Sequence, residues 1–235
     1  MYYETSIIPY MNDTITEVLK EHFDVKCCER GHWWFTEWDN HCRKVFNVYA
    51  LKSSYWPMYW GYNFDFIPWE KNPLKCSGKL GYFRTEKAVH IDFGGSPFPY
   101  IDYMDFFSPG LKPDRDHAAI REEYFVPTYG PDAEWAREHI GEIVRRNVPF
   151  MQDWFGRIKT IDDIIAQETE YISENHTDIS FPYGSYWVRG FLYAKQHRMD
   201  EAIADIQLIY ERYSKDKQIP QNVLKKLYEV DKMID

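Results

Sequence analysis

The residue types best suited to chemistry gather early in the chain, as Cys27, Cys28, His32, His41 and Cys42. Thiolate sulfur and imidazole nitrogen both ligate zinc well. The spacing C-C-x3-H-x8-H-C matches no zinc-finger pattern, however, and His41 and Cys42 are chain neighbours. The competing reading is that the thiols pack between a helix and the first strand, where cysteine behaves as a small hydrophobe. No metal centre is assigned on this pattern, and no cofactor is expected.

A second group is His90 and Asp92, two residues apart and so on one face of a predicted strand, just before Gly94-Gly95-Ser96. A base, an orienting carboxylate and a hydroxyl after a turn are the parts of hydrolytic chemistry. Asp116 and His117 in the following loop are candidates to join them. Against this, Ser96 does not sit in a G-x-S-x-G elbow, and polar residues at strand ends commonly face water. Glu134, Glu138 and Glu142 form a third group at i, i+4 and i+8, beside His139. Carboxylate metal sites in helix bundles need an E-x-x-H pattern on paired helices. With Arg137, Arg145 and Arg146 nearby, a solvated, salt-bridged face is the simpler reading. The sequence contains no phosphate-binding G-x-x-x-x-G-K-[ST], no G-x-G-x-x-G and no H-E-x-x-H.

Composition narrows the class. The 235 residues include 9 Trp, 19 Tyr and 15 Phe, enough large rings to exclude a disordered chain. The net charge is −9, spread along the chain: residues 1–111 carry 11 basic and 14 acidic residues, and 112–235 carry 17 and 23. That balance argues against a nucleic-acid binder, which needs clustered Lys and Arg, and is compatible with a basic protein partner. No run approaches the apolar length of a transmembrane helix, so no membrane association is expected. The opening Met1-Tyr2-Tyr3-Glu4-Thr5 lacks a signal-peptide pattern, so the expectation is a cytoplasmic protein with reduced thiols.

The elements that must position these groups change in kind along the chain. Thr14-Ile15-Thr16-Glu17 reads as a capping box opening a first helix. Strand chemistry follows at His32 to Trp38, Lys44 to Leu51 and Met58 to Ile67, then at Gly81 to Thr85 and Ala88 to Phe93. Within Met58 to Ile67, the rings of Trp60, Tyr62, Phe64 and Phe66 recur with period two, as in a half-buried antiparallel strand. Gly94 to Pro113 reads as a connection. Helical periods then begin: Ala133 to Arg146, a short apolar segment Val148 to Phe155 holding Pro149, a helix opened by Thr160-Ile161-Asp162-Asp163, and helices over Tyr186 to His197, Asp200 to Tyr213 and Gln221 to Met233. Strands in one half and helices in the other predict an α+β fold, with regions 1–111 and 112–235 in one compact unit.

Two resemblances accompany this reading. Gly190, Tyr193, Ala202 and Ile206 fall at the packing offsets of one tetratricopeptide unit, with Tyr186 in the place of its Trp and Ser214 in the place of its closing Pro. No second copy is visible, so the unit reads as a helical hairpin within a bundle. Val45-Phe46-Asn47-Val48-Tyr49-Ala50-Leu51-Lys52, followed by Trp60-Gly61-Tyr62-Asn63-Phe64-Asp65-Phe66-Ile67-Pro68, resembles a bacterial family of unknown function. In that family a helix precedes an antiparallel sheet and a W-G-x-x-x-D-F-[VI]-P-like strand closes the pattern. The resemblance spans roughly residues 14–93, and some relatives with this layout look like immunity or accessory proteins of bacterial competition systems, small, acidic and non-catalytic.

The expectation is therefore a non-catalytic cytoplasmic protein that binds another protein, of the immunity type. A hydrolase using His90, Asp92 and His117 is one alternative, and a scaffold taking a peptide through the helical tail is another. The densest aromatic run holds more rings than one strand face buries, which makes Tyr55, Trp56, Tyr59 and Trp69 the candidate binding residues.

Overall fold

A computed structural model describes residues 5–28, 32–48, 55–68, 93–95, 122–174 and 182–234. The fold is α+β. In order, the elements are β1 (Thr5–Ser6), α1 (Ile8–Lys20), β2 (Lys26–Cys28), β3 (Trp33–Phe35), β4 (Cys42–Val48), β5 (Tyr55–Trp56), β6 (Met58–Phe64), β7 (Phe93–Gly95), β8 (Val126–Pro127), β9 (Tyr129–Gly130), α2 (Ala133–Arg157), α3 (Ile161–Glu174), α4 (Pro182–Lys195), α5 (Met199–Tyr213) and α6 (Gln221–Asp231). The chain divides into two compact units, Met1–Asn63 with Val89–Gly156, and Phe64–Ala88 with Arg157–Asp235.

The first unit is built on a sheet ordered β2-β3-β4-β6-β7, with the short pairs β1-β9 and β5-β8 beside it. Trp34 lies opposite Phe46 in the β3–β4 register, and Trp60 opposite Gly95 in the β6–β7 register. One sheet face carries Trp34, Phe46, Val48 and Trp60 into a core with Met11, Ile15, Val18 and Leu19 of α1 and Ile140, Ile143, Val144 and Met151 of α2. The other face is buried as well: Arg43, Val45, Asn47 and Asn63 are all 5% exposed or less. Arg43 Nε donates to Asn63 Oδ1 at 3.0 Å, and its guanidinium lies over the rings of Phe35 and Trp38. Burial on both faces blurs the expected alternation. Asn63 is fully covered, Tyr62 is half-buried, and Phe66 lies beyond the end of β6.

Three local expectations are corrected. The first helix starts at Ile8, six residues before Thr14, because Pro9 supplies the fixed φ and missing donor that suit a first turn. Thr14 and Thr16 instead sit inside α1 and donate their hydroxyls back to the carbonyls of Tyr10 and Asn12. Pro149 does not end a helix: α2 runs through it from Ala133 to Arg157, its apolar side packed on the sheet core. Gly94 and Gly95 belong to a strand, paired with Gly61 and Trp60. The strand expected over Gly81 to Thr85, and all but Phe93 of the one expected over Ala88 to Phe93, lie outside the described residues.

The second unit is helical. Thr160 opens α3 as expected, its Oγ1 accepting from the Asp163 amide while Asp163 Oδ2 accepts from the amides of Lys159 and Thr160. Those amide donors hold the Asp163 carboxyl below its ordinary range. Helices α4 and α5 form the hairpin read from the sequence, and they approach closely at Gly190: a Cβ there would sit 2.9 Å from Ile206 Cδ1 and 3.3 Å from the Ala202 carbonyl oxygen. From Tyr186 to Leu192 every residue of α4 is buried. Arg189 reaches out of that helix to Asp205 through two hydrogen bonds of 2.6 and 2.7 Å and donates a third to Thr169 Oγ1. Trp187 Nε1 donates to the Pro68 carbonyl at 3.0 Å.

Candidate functional site

Strand β4 places Cys42, Lys44 and Phe46 on one side of its ribbon, and Tyr62 of β6 stands on the same sheet face near Cys42. The last turns of α2 bring Trp154 and Phe155 to this edge, and the chain leaving α1 adds Phe23. Phe155 is the hub. Its ring is 5.2 Å from Tyr62, 5.1 Å from Trp154, 5.6 Å from Phe46 and 6.0 Å from Phe23, each edge-to-face. Edge-to-face pairs are worth about 0.5–1.5 kcal/mol each beyond the area they bury. Phe46 and Phe155 are buried, whereas Phe23, Tyr62 and Trp154 keep part of their surface in solvent. Lys44, also half-buried, holds its ammonium 5.1 Å from the Phe155 ring and 5.8 Å from that of Phe23. Burial, and then the charge on Cys42, push the Tyr62 phenol up to about 12. The result is an aromatic rim beside the Lys44 ammonium, a composition enriched where proteins recognise proteins.

A second constellation joins two of the sequence candidates. His32, between β2 and β3, approaches the Trp56 ring at 5.2 Å between centroids. Its Nδ1 lies 2.7 Å from Asn12 Oδ1 of α1. The residue is pinned through its carbonyl, which accepts from the Val48 amide at 3.0 Å and from Asn47 Nδ2 at 2.8 Å. Next to it, Trp34 Nε1 donates to Thr16 Oγ1 at 2.8 Å. Burial holds the His32 imidazole below its ordinary value.

The remaining candidates are placed as follows. Cys27 and Cys28 lie in β2, in register with Trp34 and Trp33. Asn40 and His41 make the β3–β4 turn with φ of 43° and 64°, the left-handed region, and half-buried Cys42 opens β4 just after it. Among the described residues, no three His, Cys, Asp or Glu side chains gather as a metal site. Trp56 is 8% exposed within the sheet core, and Tyr55 and Tyr59 are half-buried. Trp69, His90, Asp92 and His117 lie outside the described residues. The acidic stripe is a surface: Glu134, Glu138 and Glu142 are exposed, Arg146 pairs with Glu142 at 3.3 Å, and His139 stacks on Trp135 at 4.5 Å.

Phe23, Lys44, Tyr62, Trp154 and Phe155 were not singled out as a surface by the sequence. Trp154 and Phe155 are adjacent in α2, where neighbours project about 100° apart, and only Phe155 of the two is buried. No described helix is long and apolar enough to cross a membrane. No protein-family model, curated protein or solved structure matches the chain.

Proposed function

We propose that this chain is a protein-binding protein of the immunity type, which silences a partner by covering its surface and does no chemistry on it. The observation that carries the reading is the aromatic rim of Phe23, Tyr62 and Trp154 around Lys44. Its rings are locked to one another through Phe155, so little side-chain freedom is lost when a partner docks. The chain's charge of −9 favours a basic partner, whose approach it accelerates. Under this reading the protein acts in the cytoplasm, beside the toxin it neutralises.

The test is protection in a co-expression assay. A cell carrying a toxic protein encoded next to this chain's gene survives when the chain is present, and the two purified proteins form a stable complex. Loss of protection on Trp154→Ala, with the chain still folded, supports the rim as the contact. Protection without complex formation, or no protection at all, overturns the reading.

A further inference from the structure

Lys44 projects from a fixed root. Its amide donates to Thr36 Oγ1 at 3.1 Å, and its carbonyl accepts from the Thr36 amide at 3.0 Å. From there the side chain runs to the rings of Phe155 and Phe23, where the ammonium lies 5.1 and 5.8 Å from the centroids. A ring face attracts the positive charge but has no lone pair in the way an oxygen does, so it leaves the three N–H donors to other acceptors. Solvent can serve them while Lys44 is only half-buried. A partner seated on Phe23, Tyr62 and Trp154 changes that, because Phe23 and Phe155 hold the ammonium beside the same rings. An ammonium taken out of water is tolerated when a hydrogen-bonding group of opposite charge replaces the hydration. A carboxylate does this best.

Resting on the reading of the rim as a docking surface, we propose that Lys44 is its specificity-determining residue. The partner segment that covers the rings brings an aspartate or glutamate carboxylate to the Lys44 ammonium. A segment that is wholly apolar there, or basic, covers the ammonium without an acceptor and is rejected. This local pairing runs against the long-range field. The chain's charge of −9 draws a basic partner, and for that approach a lysine on the docking face is unfavourable. Lys44→Met separates the two effects, since it keeps an unbranched stem on the rings and, by removing one positive charge, takes −9 to −10. Steering alone makes the variant bind faster and tighter. Pairing makes it dissociate faster.

Surface plasmon resonance of the full chain against a toxin from which it protects in co-expression reads both rates. In Lys44→Met, koff rises about 30-fold or more while kon does not fall. Among Asp→Asn and Glu→Gln variants of the toxin, one weakens binding to the native chain by a similar factor and causes no further loss with Lys44→Met. Unchanged or slower dissociation of Lys44→Met, a loss confined to kon, or a toxin with no such coupled carboxylate overturns the proposal. Trp154→Ala, measured alongside, distinguishes this failure from that of the rim. Weak binding of Trp154→Ala with Lys44→Met unaffected removes only the carboxylate pairing, whereas a toxin indifferent to both substitutions removes the rim as the contact.

Discussion

Gly190→Ala isolates the contact on which the helical hairpin depends. The added methyl would lie 2.9 Å from Ile206 Cδ1, 3.0 Å from Ile206 Cγ1 and 3.3 Å from the carbonyl oxygen of Ala202. The Cδ1 atom can swing aside, but Cγ1 is tied closer to the backbone and the carbonyl belongs to α5 itself. Overpacking of this kind costs about 1–3 kcal/mol. Alanine returns about 1 kcal/mol of helix propensity, so the net effect is a destabilisation of about 1 kcal/mol. Urea unfolding followed by helical circular dichroism reads this as a lower midpoint at unchanged slope. Ile206→Val supplies the internal control. Alone it costs about 1 kcal/mol for the lost methyl, whereas on the Gly190→Ala background it also relieves the 2.9 Å contact with Cδ1 and costs less. A Gly190→Ala chain stabilised by its full helix propensity, with Ile206→Val strictly additive, would refute the close packing.

The buried pair in the same unit gives a larger effect. Arg189→Met leaves the Asp205 carboxylate, 5% exposed, without its two guanidinium hydrogen bonds and costs about 3–5 kcal/mol. Adding Asp205→Leu recovers most of that loss in thermal unfolding, and a double variant as unstable as the single one would contradict the pairing. Tyr62 makes a prediction at alkaline pH. Its folded phenol titrates near 12, above the ordinary 10.0, so the folded form holds its proton more tightly and stability drops as pH rises from 10 towards 12. Tyr62→Phe removes that part of the alkaline loss, and an ultraviolet difference titration of the two chains locates the missing phenol. A difference spectrum centred at 10 would contradict the burial.

The parts of this fold that were legible in the sequence are those decided by neighbours in the chain. The Thr160–Asp163 cap is a four-residue interaction, and the spacing of Gly190, Ala202 and Ile206 repeats a local packing rule. Where tertiary context decided, sequence reasoning misled. Thr14 has the side chain of a cap, but Pro9 had already opened the helix. Pro149 has no amide to donate, yet the apolar residues on both sides, Val148 and Met151, bury into one core and carry α2 through it. Gly94 and Gly95 carry no side chain to signal a strand, and they are held there by β6. The candidate sites were the least legible. The sequence marks His32 only as a candidate metal ligand, since its partner Asn12 is 20 residues away and shares no motif with it. The rim draws Phe23, Lys44, Tyr62 and Trp154 from four separate segments, which no periodicity connects.

The central claim is that the rim of Phe23, Tyr62 and Trp154 is where a protein partner binds. Titration calorimetry of the purified chain against a toxin from which it protects in co-expression, repeated with Trp154→Ala, tests this most directly. A central aromatic anchor contributes about 2 kcal/mol or more. The Kd is therefore expected to rise about 30-fold in the variant, with thermal unfolding lowered only slightly because Trp154 is half-buried. An equal Kd for the two chains would contradict it.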